Sequence, residues 1–195
     1  MTGVIILAAG SSSRLGKPKQ NLIFQGQTLL QRAIQNALAS VCESVIVILG
    51  ANAEVIQATI KDQPVPIIYN PDWQEGMASS IRLGITELQK TIPNLTSTIL
   101  MLCDQPFADA AILNQLIQKR SAINKSIIAS AYNGTTGSPA LFDKSHFAEL
   151  LQLTGSDGAK KLLIKYADDV ATIPFLLGAI DIDTVGDYER LEEGF

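Results

Sequence analysis

Val4-Ile5-Ile6-Leu7-Ala8-Ala9-Gly10-Ser11-Ser12-Ser13-Arg14-Leu15-Gly16-Lys17-Pro18-Lys19 passes from an unbroken apolar run into a small-residue loop carrying three cations. An apolar run without alternation is what a strand covered on both faces requires, so residues 4–7 read as a central strand of a helix-covered sheet. The loop leaves the carboxyl end of that strand, where open α/β sheets collect their ligands. Glycine lets backbone N–H groups turn toward an anion, and serine hydroxyls add donors. Arginine neutralises phosphate bidentately and lysine does so as a point charge. The stretch therefore reads as a loop that wraps a polyphosphate. It is not a P-loop, because five residues rather than four separate Gly10 from Gly16 and Pro18 follows Lys17. It also lacks the glycine spacing and immediate helix of a dinucleotide fingerprint.

Outward from this loop, β-branched runs at 44–49, 65–69, 98–102, 126–132 and 170–174 alternate with helical patterns. Residues 28–40 place Leu29, Leu30, Ala33, Ile34, Ala37 and Leu38 on one stripe. Residues 108–120 do the same with Ile112, Leu113, Leu116 and Ile117. Such alternation predicts a three-layer α/β/α fold around a mostly parallel, Rossmann-like sheet, with these runs as central strands. After Asn133 the pattern changes to a turn with Gly134 and Gly137, an extended run at 139–142, and helices near Ser145 and Ser156. A last strand at 180–182, a turn at Gly186 and a short acidic helix reaching Glu193 close the chain.

Composition narrows the class. With 195 residues, 47% hydrophobic and only 17% charged, the chain is expected to form one globular domain over 1–195. A net charge of −4 argues against nucleic acid as a partner. Every apolar run is far shorter than the ~20 residues of a membrane span. The cations follow the first apolar run rather than precede it, so no signal peptide is expected. Cys42 and Cys103 stand apart without metal-ligand spacing, which fits a reducing cytoplasm.

Two acidic sites are candidate metal ligands. Asp104 stands just past the run at 99–102, where it would hold Mg2+ with phosphate and water or, equally well on sequence grounds, cap the next helix. Asp181 and Asp183 share one face of the expected last strand, either toward the site or toward water. Gly76-Met77-Ala78-Ser79-Ser80 is expected to open a helix near Ser79, with its hydroxyls beside the site or with Met77 simply filling the core. Trp73 and Tyr132 read as packing residues, His146 as a bystander on a surface helix, and Cys103 as a buried thiol.

The pattern Leu7-Ala8-Ala9-Gly10-x-Ser12-x-Arg14-x-Gly16-x-x-Lys19 resembles the signature of nucleotidyltransferases of the MobA-like superfamily. The resemblance implies the nucleotide-diphospho-sugar transferase type of sheet and transfer of a nucleotidyl group from a nucleoside triphosphate to an acceptor phosphate. It implies that Leu7, Ala8, Ala9, Gly10, Ser11 and Ser12, with Gly76 and Ser80, bind the nucleotide. Arg14 would support the loop and phosphates, Lys19 would hold the triphosphate near its α-phosphorus, and Asp104 and Asp183 would bind Mg2+. Gly76-Met77-x-x-Ser80, Gly137-Ser138-Pro139 and Gly155-Ser156-Asp157-Gly158-Ala159 are similar to motifs of the molybdenum cofactor subgroup, which implies that Gly137, Pro139 and Asp157 face the acceptor. Ser156 stands where that subgroup has Asp, and Val185-Gly186 where the superfamily has Pro-Glu. Leu-Ala-Ala-Gly is associated with pyrimidine users, so CTP, with base contacts near Ala8 and from 50–52, and a molybdopterin-like acceptor are expected. A molybdoenzyme is the recipient such an acceptor implies. The alternatives are a transferase for a sugar or polyol phosphate and a non-catalytic protein that delivers cofactor to a molybdoenzyme.

Overall fold

The computed structural model describes residues 1–194. In chain order they form β1 (Thr2–Ala8), β2 (Ile23–Phe24), β3 (Gln27–Thr28), α1 (Leu29–Leu38), β4 (Ser44–Leu49), α2 (Ala53–Ile60), β5 (Ile67–Tyr69) and α3 (Met77–Thr91). There follow β6 (Ser97–Leu102), α4 (Ala110–Ala122), β7 (Ile127–Tyr132), β8 (Thr135–Asp143), α5 (Phe147–Leu150), α6 (Lys160–Lys165), β9 (Val170–Pro174) and α7 (Val185–Glu193).

β1 is buried along its whole length, and its side chains alternate between two cores. Val4, Ile6 and Ala8 meet α1, α2 and α4 through Leu30, Ile34, Ile56, Ile60, Leu113 and Leu116. Ile5 and Leu7 meet α3, α5 and α6 through Ile81, Ile85, Leu88, Leu150, Leu162 and Leu163. Helices on both faces make the expected three layers. The seven-stranded sheet runs β5-β4-β1-β6-β8-β7-β9, and only the pairings of β8 with β6 and β7 are antiparallel. β4 and β5 lie on one side of β1 and β6 on the other, so the chain reverses its direction of travel between β1 and β6. This is the topological switch point where such sheets leave a crevice.

Several expected boundaries shift for identifiable reasons. The run 65–69 is a three-residue edge strand rather than a central one, because Pro64 and Pro66 cannot donate to a ladder. β9 keeps its expected bounds but is the other edge. The extended run at 139–142 is the end of a nine-residue strand that begins at Thr135. α3 starts at Met77, two residues before Ser79, and α7 contains Gly186 rather than following it. Residues 180–182 form no strand; Ile182 instead plugs a satellite core with Leu15, Leu22, Leu29 and Leu191. α2 carried no sequence expectation: with Ile56 and Ile60 as its only buried residues, it shows too little apolar periodicity. His146 lies in a 3-10 turn rather than on a surface helix and is buried, hydrogen-bonded to Ser126.

Phe142 is fully buried against β6 and β7, among the side chains of α5 and α6. Phe142→Ala is therefore expected to destabilise the protein by about 3–5 kcal/mol. Urea unfolding followed by circular dichroism checks this, and a loss under about 1 kcal/mol would contradict the described core.

Candidate active site

Because Leu7 of β1 pairs with Leu102 of β6, the turns that follow the two strands emerge side by side. Leu7, Ala8, Ala9, Gly10, Ser11 and Lys19 from the first, with Cys103 and Asp104 from the second, line one cleft of about 380 Å³. The first loop is held by a residue the sequence did not single out. Gln20 is fully buried, and its Nε2 donates to Ala8 O at 2.8 Å and Gly10 O at 3.0 Å. Those two carbonyls are thereby turned inward. Ser12 adopts a left-handed φ of 54°, and its Oγ accepts from Lys19 N at 3.1 Å, which closes the loop on itself. Ser12 thus shapes the cleft without lining it.

The charged groups converge. Lys19 Nζ donates to Asp104 Oδ2 at 2.5 Å and to Asp183 Oδ1 at 2.8 Å, and Arg14 reaches Asp183 Oδ2 at 2.6 Å. Two carboxylates 79 positions apart in the chain therefore share one ammonium. Burial opposes the charge on Lys19, yet the Asp104 and Asp183 carboxylates raise its pKa well above the lysine range. Burial likewise opposes charge on Asp183, but its Lys19 and Arg14 partners hold its carboxyl below the usual range. Asp181 is pushed up by burial and by the Asp104 and Asp183 carboxylates. Burial lifts the Cys103 thiol to about 12, in keeping with the inert thiol expected there.

Asp104 is not a helix cap: α4 is capped by Asp109, whose carboxylate accepts from Ile112 N at 3.0 Å. Its Oδ1 is instead buried without a hydrogen-bond partner among the described residues. A buried oxygen of this kind costs free energy unless something engages it. Two carboxylates directed at one cation, one with a spare oxygen, suit a hard divalent ion that takes one or two protein carboxylates and completes its shell with phosphate and water. The residues present fit Mg2+ on that count.

The opposite wall comes from the turn before α3. Trp73, Gly76, Met77 and Ser80 line the cleft. Asn70, buried and unforeseen, donates to Ser79 Oγ at 2.8 Å and Ser80 Oγ at 2.9 Å, fixing both hydroxyls. Gly76 has φ 123°, and a Cβ there would lie 2.3 Å from Gly155 O, so only glycine lets the two turns touch. Arg82 grips Glu75 with two hydrogen bonds of 2.7 and 2.6 Å and Leu153 O with a third, while Gly155 N also donates to Glu75. Met77 is substantially exposed and fills no core. Residues 50–52 line a neighbouring cleft that shares Trp73, not this one.

The three residues expected at the acceptor meet different partners. Gly137 accommodates the Tyr132 hydroxyl, which would be 2.2 Å from a Cβ there. Pro139 is buried in β8, and its carbonyl accepts from Ser130 Oγ. Asp157 follows the Gly155-Ser156 turn that rests on Gly76, and it pairs with Lys161. Lys17 projects over the Tyr188 ring.

A strand-end loop with hydroxyls and cations, one of which binds two convergent carboxylates beside a switch-point crevice, is the arrangement expected of a nucleotidyltransferase. The description of the MobA-like NTP transferase domain matches residues 4–170. The chain belongs to that family. Nicotine blue oxidoreductase of Paenarthrobacter nicotinovorans is 32% identical over 147 residues, 75% of this chain and 68% of that protein. Molybdenum cofactor cytidylyltransferase of Escherichia coli K12 is 27% identical over 195 residues, covering 98% of this chain and 95% of its own. Among solved structures, Rv0371c of Mycobacterium tuberculosis H37Rv superposes with a TM-score of 0.87 at 30% identity, over 99% of this chain and 97% of that one. A second structure of Rv0371c, in complex with manganese, gives 0.82 at 28%, over 100% and 98%.

The Arg82 fork and the Gly155 N–H hold the Glu75 carboxyl down at about 2. A depressed acid contributes stability above its unfolded value of ~4.3 and loses it as pH falls through the folded one. Glu75→Gln should flatten the acid limb of the stability curve between those two values and leave its alkaline limb unchanged. Melting temperatures across pH 2–9 test this; parallel acid limbs would contradict the clamp.

Proposed function

We propose that this chain is a Mg2+-dependent cytidylyltransferase that joins CMP from CTP to the phosphate of a molybdopterin-like acceptor, with residues 1–195 as one catalytic domain. The observation that carries the reading is the convergence of Lys19, Asp104 and Asp183, of which Lys19 and Asp104 line the cleft and Asp183 meets the same ammonium beside it. An ionised acceptor oxygen attacks the α-phosphorus of CTP, the bond from that phosphorus to the α–β bridging oxygen breaks, and pyrophosphate leaves with the electron pair. An ionised phosphate has no proton to give up, so no general base is required. Catalysis then consists of positioning and charge neutralisation.

Asp104 and Asp183 would hold the cation, which when bound offsets charge on the phosphate oxygens. Lys19 neutralises phosphate at the α-position, and Arg14 steadies both the loop and the Asp183 side chain. Leu7 to Ser11 lie along the nucleotide, with Gly76 and Ser80 opposite, while Gly137, Pro139 and Asp157 belong to the acceptor side. The 27% relationship to a molybdenum cofactor cytidylyltransferase over nearly the full chain supports the acceptor class. The manganese complex of Rv0371c supports a divalent ion. The alanine at position 9 in Leu-Ala-Ala-Gly supports CTP. Cys42 and Cys103 are both free, which suits a cytoplasmic setting, and hand-over of the product to a molybdoenzyme follows from the acceptor class.

Pyrophosphate release with molybdopterin, Mg2+ and each triphosphate tests the reading. CTP should be preferred, and Asp104→Asn should lower kcat by about 10²–10³-fold while the protein stays folded. Turnover of that variant within threefold of the parent would contradict the role given to Asp104. Faster turnover with a sugar or polyol phosphate would replace the acceptor. Tight CTP binding with no pyrophosphate from any acceptor would replace the enzyme with a carrier.

A further inference from the structure

Asp104 stands at a strand end, but Asp183 lies in residues 180–184, which form neither helix nor strand. Its place relative to Asp104 therefore depends on individual fasteners. Behind it, Asp187 Oδ2 accepts from Asp183 N at 3.2 Å and Thr184 N at 2.7 Å, which ties the segment to the first turn of α7. Ahead of it, Ile182 N donates to Asp104 O at 3.1 Å. Lys19 bridges the two carboxylates directly and Arg14 holds Asp183 from outside, and a further link is the side chain of Gln105. Gln105 is buried, and its Nε2 donates to Gly178 O at 2.8 Å and to Ser138 O at 3.1 Å. Gly178 lies in the 3-10 turn Leu176–Ala179 that leads into the Asp183 segment, and Ser138 lies in β8.

The other end of the same amide is telling. Gln105 Oε1 is buried without a partner, and among the described residues only Asp104 Oδ1 shares that state. A buried orphan oxygen carries a desolvation cost that a methionine of similar size would avoid. The two N–H groups of the amide bridge three segments directly beside a carboxylate, and the same side chain also meets the Tyr132 hydroxyl. Outer partners that orient metal-binding side chains commonly matter 10–100-fold in metal affinity.

We infer that Gln105 is a positioning residue whose amide sets the spacing of the Asp104 and Asp183 carboxylates and so the affinity of the pair for a divalent cation. The inference rests on the metal-site reading given above.

The test is titration of the full chain with Mn2+ in the absence of nucleotide, with free Mn2+ followed by electron paramagnetic resonance. Gln105→Met should raise the Mn2+ Kd by about 10–100-fold. Gln105→Glu, which keeps the length but turns an oxygen toward two carbonyls, should do the same and serves if the methionine variant does not fold. Leu116→Ala, a core truncation on α4, should lose stability yet keep its Kd within twofold of the parent. In turnover assays the Gln105 variants should lose kcat with little change in the KM for nucleotide. A Kd within twofold of the parent in folded Gln105 variants, with Asp104→Asn losing Mn2+, would overturn the role of Gln105 alone. Asp104→Asn binding Mn2+ as the parent does would overturn the metal site itself. A Kd raised as much by Leu116→Ala as by Gln105→Met would reduce Gln105 to a general stabiliser and overturn the inference.

Discussion

Two carboxylates placed together in a partly buried wall repel each other and need a cation between them, and in this molecule Lys19 meets that need. The requirement organises much of what surrounds it. Lys19 must arrive from a loop that starts on β1, Asp104 from the end of β6 and Asp183 from the segment after β9. Three distant stretches are thus drawn to one end of the sheet, and the parallel pairing of β1 with β6 is what makes their meeting geometrically possible. Arg14 balances the excess negative charge from the solvent side, while Asp181 feels Lys19 only at a distance and forms no ion pair among the described residues.

The arrangement also explains why the first loop looks as it does. An ammonium held by two carboxylates cannot wander, so the backbone on either side of it must be equally fixed. Gln20 supplies that rigidity by accepting none of its constraints from solvent: both of its amide hydrogens go to loop carbonyls. A preorganised loop of this kind loses little conformational freedom when it meets a phosphate, which is the condition for electrostatic catalysis. The far wall achieves the same by different means, through a glycine contact at Gly76 and an arginine fork on Glu75. Family membership sets the nucleotidyl-transfer framework; the substrate-facing side chains have to decide what is transferred and to what.

Most of the fold was legible because it rests on uninterrupted apolar runs and clear helical stripes. β4 and β9 fall on the predicted boundaries, and α1 carries the stripe expected over 28–40. Errors arose where a tertiary contact outweighs a local pattern. Ile180 and Ile182 look like a strand, but Ile182 is spent filling a satellite core under α7. The loop from Leu7 to Lys19 could be read from residue type and position, whereas Asp104 was equally a helix cap until the family resemblance favoured a metal ligand. Gln20, Asn70 and Gln105 could not. A glutamine or asparagine has no periodic signature, and its value lies in which distant carbonyls or hydroxyls it reaches, something only the folded chain defines. The motifs expected at an acceptor were legible as motifs, yet Gly137 proves to be explained by a close neighbour, the Tyr132 hydroxyl, rather than by anything visible in its own stretch.

The most direct test of the account is the position of a divalent ion in crystals grown with Mn2+ and a non-hydrolysable analogue of CTP. Anomalous scattering should place one manganese within bonding distance of both Asp104 and Asp183, with Lys19 Nζ moved from the carboxylates to the triphosphate. A manganese bound away from that pair, or an ammonium still bridging the two carboxylates with the nucleotide in place, would contradict it.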